Sequence, residues 1–266
     1  QLIITLQNNI YYFVIGKFFS SLQLGYYTRA EQFNAIVTNS ITGAMERVFF
    51  PVLASVQNEK LRLLEILRRT LRTSFFVTYI SLASMAIVSK PLIYILIGPK
   101  WEPAVIYLQL LCIGSIFYPF NVVNLNILKI YSRSDLILRL QIIKTTLTAL
   151  NILIGVFFGI IAMLVTRIIT TLIATYLNSR FSGKLMGYTI KDQIRDIWPY
   201  FVRETLIIAV LIGLAFIPCN IYFILLLQVI FGVLLFALVF EKSKLAEYQE
   251  IRRLLLKSNS SEVILN

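Results

Sequence analysis

GYYTRAEQFNAIVTNSITGAMERVFFPVLASVQN, residues 25–58, is long enough to cross a bilayer, yet it carries Arg29, Glu31, Glu46 and Arg47. At 100° per residue Phe33, Val37, Ile41, Ala44 and Val48 form one narrow apolar stripe, which is expected to face lipid. Thr28, Gln32, Asn39, Thr42 and Glu46 lie away from it, with Arg29, Ser40 and Arg47 bordering the stripe. A charge at mid-membrane costs roughly 2.5–3.5 kcal/mol, so this side demands protein or water. Two arrangements satisfy that demand: a polar cavity, or pairing of Glu46 and Arg47 with neighbouring helices as structural glue. Pro51 removes a backbone donor and predicts a kink or a helix end.

The rest of the chain fits an integral membrane protein. Of 266 residues 58% are hydrophobic and 14% charged, and the mean hydropathy is +0.79, values foreign to water-soluble domains. Blocks of about twenty mostly apolar residues separate the basic clusters, so membrane topology accounts for the net charge of +12 better than nucleic acid does. Histidine is absent, which excludes a histidine-based triad, metal site or proton relay within this chain. Cys112 and Cys219 have no paired spacing and offer no disulfide or metal framework. No cofactor is expected. The opening at Gln1, inside an apolar run, suggests that an upstream part is missing.

Hydropathy predicts an all-α polytopic bundle of about eight spans: 1–19, 26–50, 74–97, 104–128, 137–158, 159–179, 197–218 and 220–240. Basic residues follow the even spans: Lys60, Arg62, Arg68, Arg69 and Arg72; Lys129, Arg133, Arg139 and Lys144; Arg180, Lys184, Lys191 and Arg195; and the tail from Lys242. The opposite ends hold Lys17, Lys90 and Lys100. The positive-inside rule then places the even ends and the C-terminus in the cytoplasm. Segment 60–73 has leucines at helical spacing among basic residues, and is expected to lie as an amphipathic helix on the inner surface, held by anionic membrane lipid. Segment 244–257 repeats that design. Trp101 is expected to anchor an outer turn, Pro119 to kink span four, and Pro199 to start span seven.

Other polar residues interrupt the apolar spans. Gln7, Asn8 and Asn9 stand in succession; Asn121 and Asn124 lie in span four, Lys144, Thr148 and Asn151 in span five, and Thr166, Arg167, Thr170 and Thr171 in span six. Arg167 is the sharpest, because its place near mid-span leaves little room to snorkel. Lys129 and Lys144 lie near cytoplasmic ends, where topology explains them as well as binding does. Arg29, Arg47 and Arg167, with Asn39 and Asn124, are the expected substrate-binding set, since guanidinium groups fork onto phosphate oxygens. Glu31 and Glu46 are expected to tune the arginines or couple a cation, with Glu204 a further titratable group.

Three stretches resemble the Wzx-like oligosaccharide flippases of the multidrug/oligosaccharidyl-lipid/polysaccharide exporter superfamily, in its lipopolysaccharide-exporter branch. They are IGKFFSSLQLGYYTRAEQF (15–33), ERVFFPVLASVQ (46–57) and GPKWEPAVIYLQLLCIGSIFYPFNVVNLNILKIYSRSDL (98–136). The family commonly has an acidic residue after the first Asn-Ile, where Tyr11 stands here. The resemblance implies a second six-helix lobe over 1–179, a cytoplasmic link at 180–196, an additional helix pair over 197–240 and a cytoplasmic amphipathic tail over 241–266. The upstream lobe of the same protein would be its partner. It further implies an oligosaccharide on an undecaprenyl pyrophosphate carrier, moved from the inner to the outer leaflet of a bacterial inner membrane by alternating access. A small-molecule exporter of the same superfamily would share the fold, though cavity arginines favour an anionic cargo. A membrane glycosyltransferase or polymerase would call for a large outer loop or an acidic catalytic motif, and the sequence offers neither.

Overall fold

The computed structural model describes residues 2–215 and 221–243; Cys219 and the tail from 244 lie outside the described residues. Among the described residues ten α-helices follow one another, and there is no strand. They are α1 (Leu2–Phe18), α2 (Ser21–Ala44), α3 (Phe50–Ser55), α4 (Lys60–Leu96), α5 (Ala104–Ser115), α6 (Tyr118–Ile130), α7 (Ser134–Phe158), α8 (Ile160–Met186), α9 (Ile190–Ala215) and α10 (Ile221–Ser243). Among the described residues five stretches are long and apolar enough to cross a membrane: α4, α5 with α6, α7, α8 and α9. A shorter apolar run, Tyr222–Gly232, lies in α10. The chain is a polytopic helical membrane protein.

Local chemistry sets the boundaries. Ser20 caps α2 in a reciprocal box with Gln23. Glycine at φ +94°, a backbone that side chains avoid, turns the chain at Gly159 from α7 into α8. Gly187 ends α8 in the left-handed region, and Thr189 and Asp192 box the start of α9. Only residues 187–189 therefore separate α8 from α9, and the link expected over 180–196 is mostly helical. Pro199 lies inside α9 rather than at its start. Pro119 sits at the start of α6, where its missing N–H costs nothing, so span four breaks at Ile116–Phe117 instead of bending. Near Pro51 the chain passes through a π-helical turn, Met45–Phe49, into the short α3.

Segment 60–73 is not a separate surface helix. It runs unbroken into span three as the 37-residue α4. Leu63, Leu67 and Leu71 are buried in the main core, and Arg68 reaches Asp196 of α9 at 3.6 Å. The Tyr188 hydroxyl donates to the same carboxylate at 2.8 Å, and the Arg68 guanidinium lies over the Tyr188 ring. Burial first, and then that hydrogen bond, push the Tyr188 phenol well above its ordinary value.

The helix α2 also turns otherwise than its wheel suggests. Phe33 and Val37 pack against one core cluster and Ile41 against another, while Tyr27, Ala30, Asn34 and Thr38 form its buried line. The exposed side carries Arg29, Gln32, Ile36, Asn39, Ser40, Glu46 and Arg47. Lipid is as apolar as leucine, so a hydrophobic stripe has no preference for it over protein, whereas small and polar residues gain by close packing and hydrogen bonds. Asn34 donates to Ser115 of α5 at 3.1 Å.

Helices running in the same direction pair side by side. Arg68 meets Asp196 and Tyr79 meets Thr205 between α4 and α9. Asn121 meets Thr175, Asn124 meets Ser179, and Tyr131 meets Met186 between α6 and α8. Parallel partners need an odd number of crossings between them, as the alternating threading requires.

A buried amide holds α6, α8 and α9 together. The Asn124 Nδ2 faces Phe120 O, Ser179 Oγ and Gln193 Oε1 at 2.7–3.0 Å, and its Oδ1 accepts from Ser182 Oγ and Gln193 Nε2. Stranding a buried polar group costs about 1–3 kcal/mol. Asn124→Ala strands several and is expected to lower the thermal midpoint of the purified protein by several degrees; an unchanged midpoint would refute this role.

Candidate functional site

A cleft of about 500 Å³ opens among α5, α6, α7 and α8, with Tyr11 of α1 and Thr42 and Glu46 of the α2 segment on its border. One part of its wall is apolar: Leu110, Leu111, Val122, Leu125, Leu147 and Ile168. The other part carries Asn121, Gln141, Lys144, Thr148, Arg167, Thr170 and Thr171. A surface of this kind accommodates a molecule with a charged or hydroxylated end and an aliphatic one.

The cations come from one hairpin. Lys144 lies fifteen residues before the Gly159 turn and Arg167 eight after it, which at 1.5 Å per residue separates their Cα atoms by about 10 Å along the hairpin axis. Met163 packs directly on Gly155, so α7 and α8 approach closely between the two cations and the turn. Neither cation forms an ion pair among the described residues, and neither does Glu46.

Arg167 is held by tyrosines. Its Nη1 donates to the Tyr27 hydroxyl at 3.1 Å, and its guanidinium lies 4.9 Å from the centroid of the Tyr11 ring. The Tyr11 hydroxyl accepts from Asn151 Nδ2 at 2.9 Å, and Asn151 Oδ1 accepts from Thr166 at 2.6 Å. Tyr12 packs edge-on against Tyr27 and donates to Glu31 Oε2 at 3.1 Å. A ring face and a hydroxyl stabilise the guanidinium without neutralising it, leaving its charge available to a ligand.

The expected site residues do not all converge. Arg29 is exposed, donates to Gln32 at 2.9 Å and stacks on Trp101, 5.6 Å from its centroid. This corner is a separate place: Lys90 pairs with Glu102 at 3.1 Å, and hydrogen bonds from Tyr94 and then Lys90 hold the Glu102 carboxyl below its usual range. Arg47 and Asn39 are exposed and border no part of the cleft. Asn124 is enclosed in its own network and does not reach the cleft either. Glu31 acts at a remove through Tyr12. Arg167 and Glu46 line the cleft, and so does Lys144. The sequence signal for Lys144 was its depth of a whole helical turn and more inside α7, which the positive-inside reading absorbed. Among the described residues no group of acids and cysteines is placed to hold a metal ion.

Comparison with known proteins agrees with the resemblance over the first part of the chain. Residues 1–106 match the model of a family described as polysaccharide biosynthesis protein. The first two resembling stretches and the opening of the third fall within that range. Over 104 residues the chain is 29% identical to an uncharacterized membrane protein in the cps region of Klebsiella pneumoniae, a match covering 38% of this chain and 21% of that relative. The matched part thus spans about a fifth of the relative's length. No solved structure matches the chain. The chain is a membrane protein related, over its first 106 residues, to polysaccharide biosynthesis proteins.

Proposed function

We propose that the chain is part of a flippase that carries a prenyl-pyrophosphate-linked oligosaccharide from the inner to the outer leaflet of a bacterial inner membrane, for cell-surface polysaccharide or lipopolysaccharide biosynthesis. The observation that carries this reading is the pair Lys144 and Arg167, two cations without ion-pair partners among the described residues, on one wall of a half-polar, half-apolar cleft. A guanidinium fork and an ammonium group about 10 Å apart along the hairpin suit a pyrophosphate reached by two long side chains. The threonines and amides of the wall suit sugar hydroxyls, and the apolar wall suits the start of the prenyl chain. Glu46, on the border of the same cleft, tunes the cations. In this reading the chain supplies the second lobe and the additional helix pair, the upstream lobe completes the cavity, and rocking of the lobes alternates its exposure. The basic ends of α4, α6 and α8 face the cytoplasm, as does the C-terminus.

The test measures arrival of prenyl-linked oligosaccharide at the outer leaflet in cells making the whole protein, comparing native protein with Lys144→Ala at matched abundance. Arrival is expected to fall about tenfold in the variant, the worth of one charge-assisted hydrogen bond, with lipid-linked sugar accumulating inside. Native protein that moves no such lipid would refute the substrate; an unimpaired variant would remove Lys144 from the site.

A further inference from the structure

Glu204 is an acid that the cleft does not use. It lies on α9 with no exposed surface, and neither carboxyl oxygen has a hydrogen-bond partner. Tyr200, Ile207 and Leu211, at i−4, i+3 and i+7 on the same face, pack with Phe76 of α4 and Leu235 of α10. An anion enclosed this way, with no partner for either oxygen, costs several kcal/mol, whereas a neutral carboxyl costs far less.

Among the described residues the surrounding helices offer it no counter-charge. From α4 the titratable group facing it is Tyr79, whose hydroxyl is engaged with Thr205 at 2.9 Å. Arg72 and Lys90 of α4 stand about 10 and 16 Å from Tyr79 along the axis. The described side chains of α10, residues 222–235, include no acid or base except Tyr222, and their amide Gln228 donates to Leu211 O. Arg180 and Lys184 of α8 stand beside the Gln193 end of α9, about 16 Å away along the axis. Arg203, next on α9, projects about 100° around the helix and leaves a buried Nη1 of its own unpartnered. Neither Glu204 oxygen has a partner, and among the described residues no group of acids and cysteines is placed to hold a metal ion, so the site suits a proton and not a metal cation.

We infer that Glu204 is a proton-binding site, and that the bound proton keeps α9 and α10 seated on α4. Losing it places a bare carboxylate between three helices and drives them apart. This site is independent of the cargo proposed above, because it lies outside the cleft.

Two measurements on the full chain in membranes test it. Dicyclohexylcarbodiimide adds a carboxylic acid across its N=C bond, the acid proton going to nitrogen, and acyl migration leaves a stable N-acylurea with no leaving group. At pH 7.5 Glu204 is expected to carry this adduct by mass spectrometry while exposed Glu46 does not. The thermal midpoint of native protein is expected to fall by several degrees between pH 6 and pH 9.5, and that of Glu204→Gln, the neutral isostere, to stay level and lie at or above that of native protein at pH 6. An unlabelled Glu204 under conditions that label other membrane carboxyls, a native-like pH profile in Glu204→Gln, or a Glu204→Gln protein unstable at pH 6 would each overturn the inference.

Discussion

Replacing Arg167 by leucine is expected to reduce delivery of lipid-linked oligosaccharide to the outer leaflet about a hundredfold or more. The substitution removes the cation from the cleft and the donor from the Tyr27 hydroxyl, and it takes the partner from the face of Tyr11. Hydrogen bonds to a charged group are worth about 1.5–3 kcal/mol, and each 1.4 kcal/mol is a factor of ten. Arg167→Lys keeps the charge but loses the planar fork and the stacking, so a loss of about tenfold is expected there. Tyr27→Phe keeps the cation and the ring and serves as the control for packing. Membrane abundance must be matched, because a leucine among tyrosines could pack well and leave folding intact. Transport at the native rate in Arg167→Leu would remove the residue from the cargo site.

Gly155→Ala is expected to lower both membrane abundance and thermal midpoint, the latter by several degrees. A methyl group at Gly155 would stand 2.7 Å from the Cβ and Cγ of Met163 and 2.8 Å from its Sδ. The Cβ is fixed to the backbone, so rotating the methionine tail does not relieve the clash. Overpacking of this kind typically costs about 1–3 kcal/mol. The damage reaches function as well, since Lys144 and Arg167 ride on the two arms that Gly155 lets close. Met163→Ala in the same chain removes the colliding Cγ and Sδ but keeps the Cβ, so the double variant is expected to recover only part of the lost midpoint. An alanine variant as stable as native protein would show that the arms are not so close.

The succession of apolar blocks was enough to read an all-helical membrane bundle, and Arg167 could be singled out because mid-span charge has few explanations. Which face of α2 is buried could not be read from apolarity. Phe33, Val37 and Ile41 gain as much from lipid as from the core, and the informative residues were the small and polar ones, Ala30, Asn34 and Thr38. Convergence of the arginines was not legible either. Arg29 and Arg47 lie on the exposed side of the α2 segment, whereas Arg167 is turned into the bundle by tyrosines of α1 and α2 that stand far earlier in the chain, Tyr27 at a separation of 140 residues. Tyr11 shows the same limit from the other direction. Where the resembling family commonly has an acid, this chain places an aromatic ring on the arginine, a contact that only the fold reveals. The break between α5 and α6 and the continuity of 60–73 with α4 turn on one proline and on three leucines, whose meaning depends on what packs beside them.

The parallel pairing of α4 with α9 also bears on how the protein is made. Tyr79 and Thr205 are 126 residues apart. At about 5–20 residues per second, α4 waits roughly 6–25 s after its own synthesis before its partner leaves the ribosome. Throughout that interval Arg68, the hydroxyl of Tyr79 and the face that later covers Glu204 have no native companion. No hairpin can shelter them, because a hairpin joins only antiparallel neighbours. The newly inserted α4 is therefore the segment for which a membrane insertase or chaperone has the most to do, and a chain released before α9 emerges is expected to be a prompt substrate for membrane quality-control proteases.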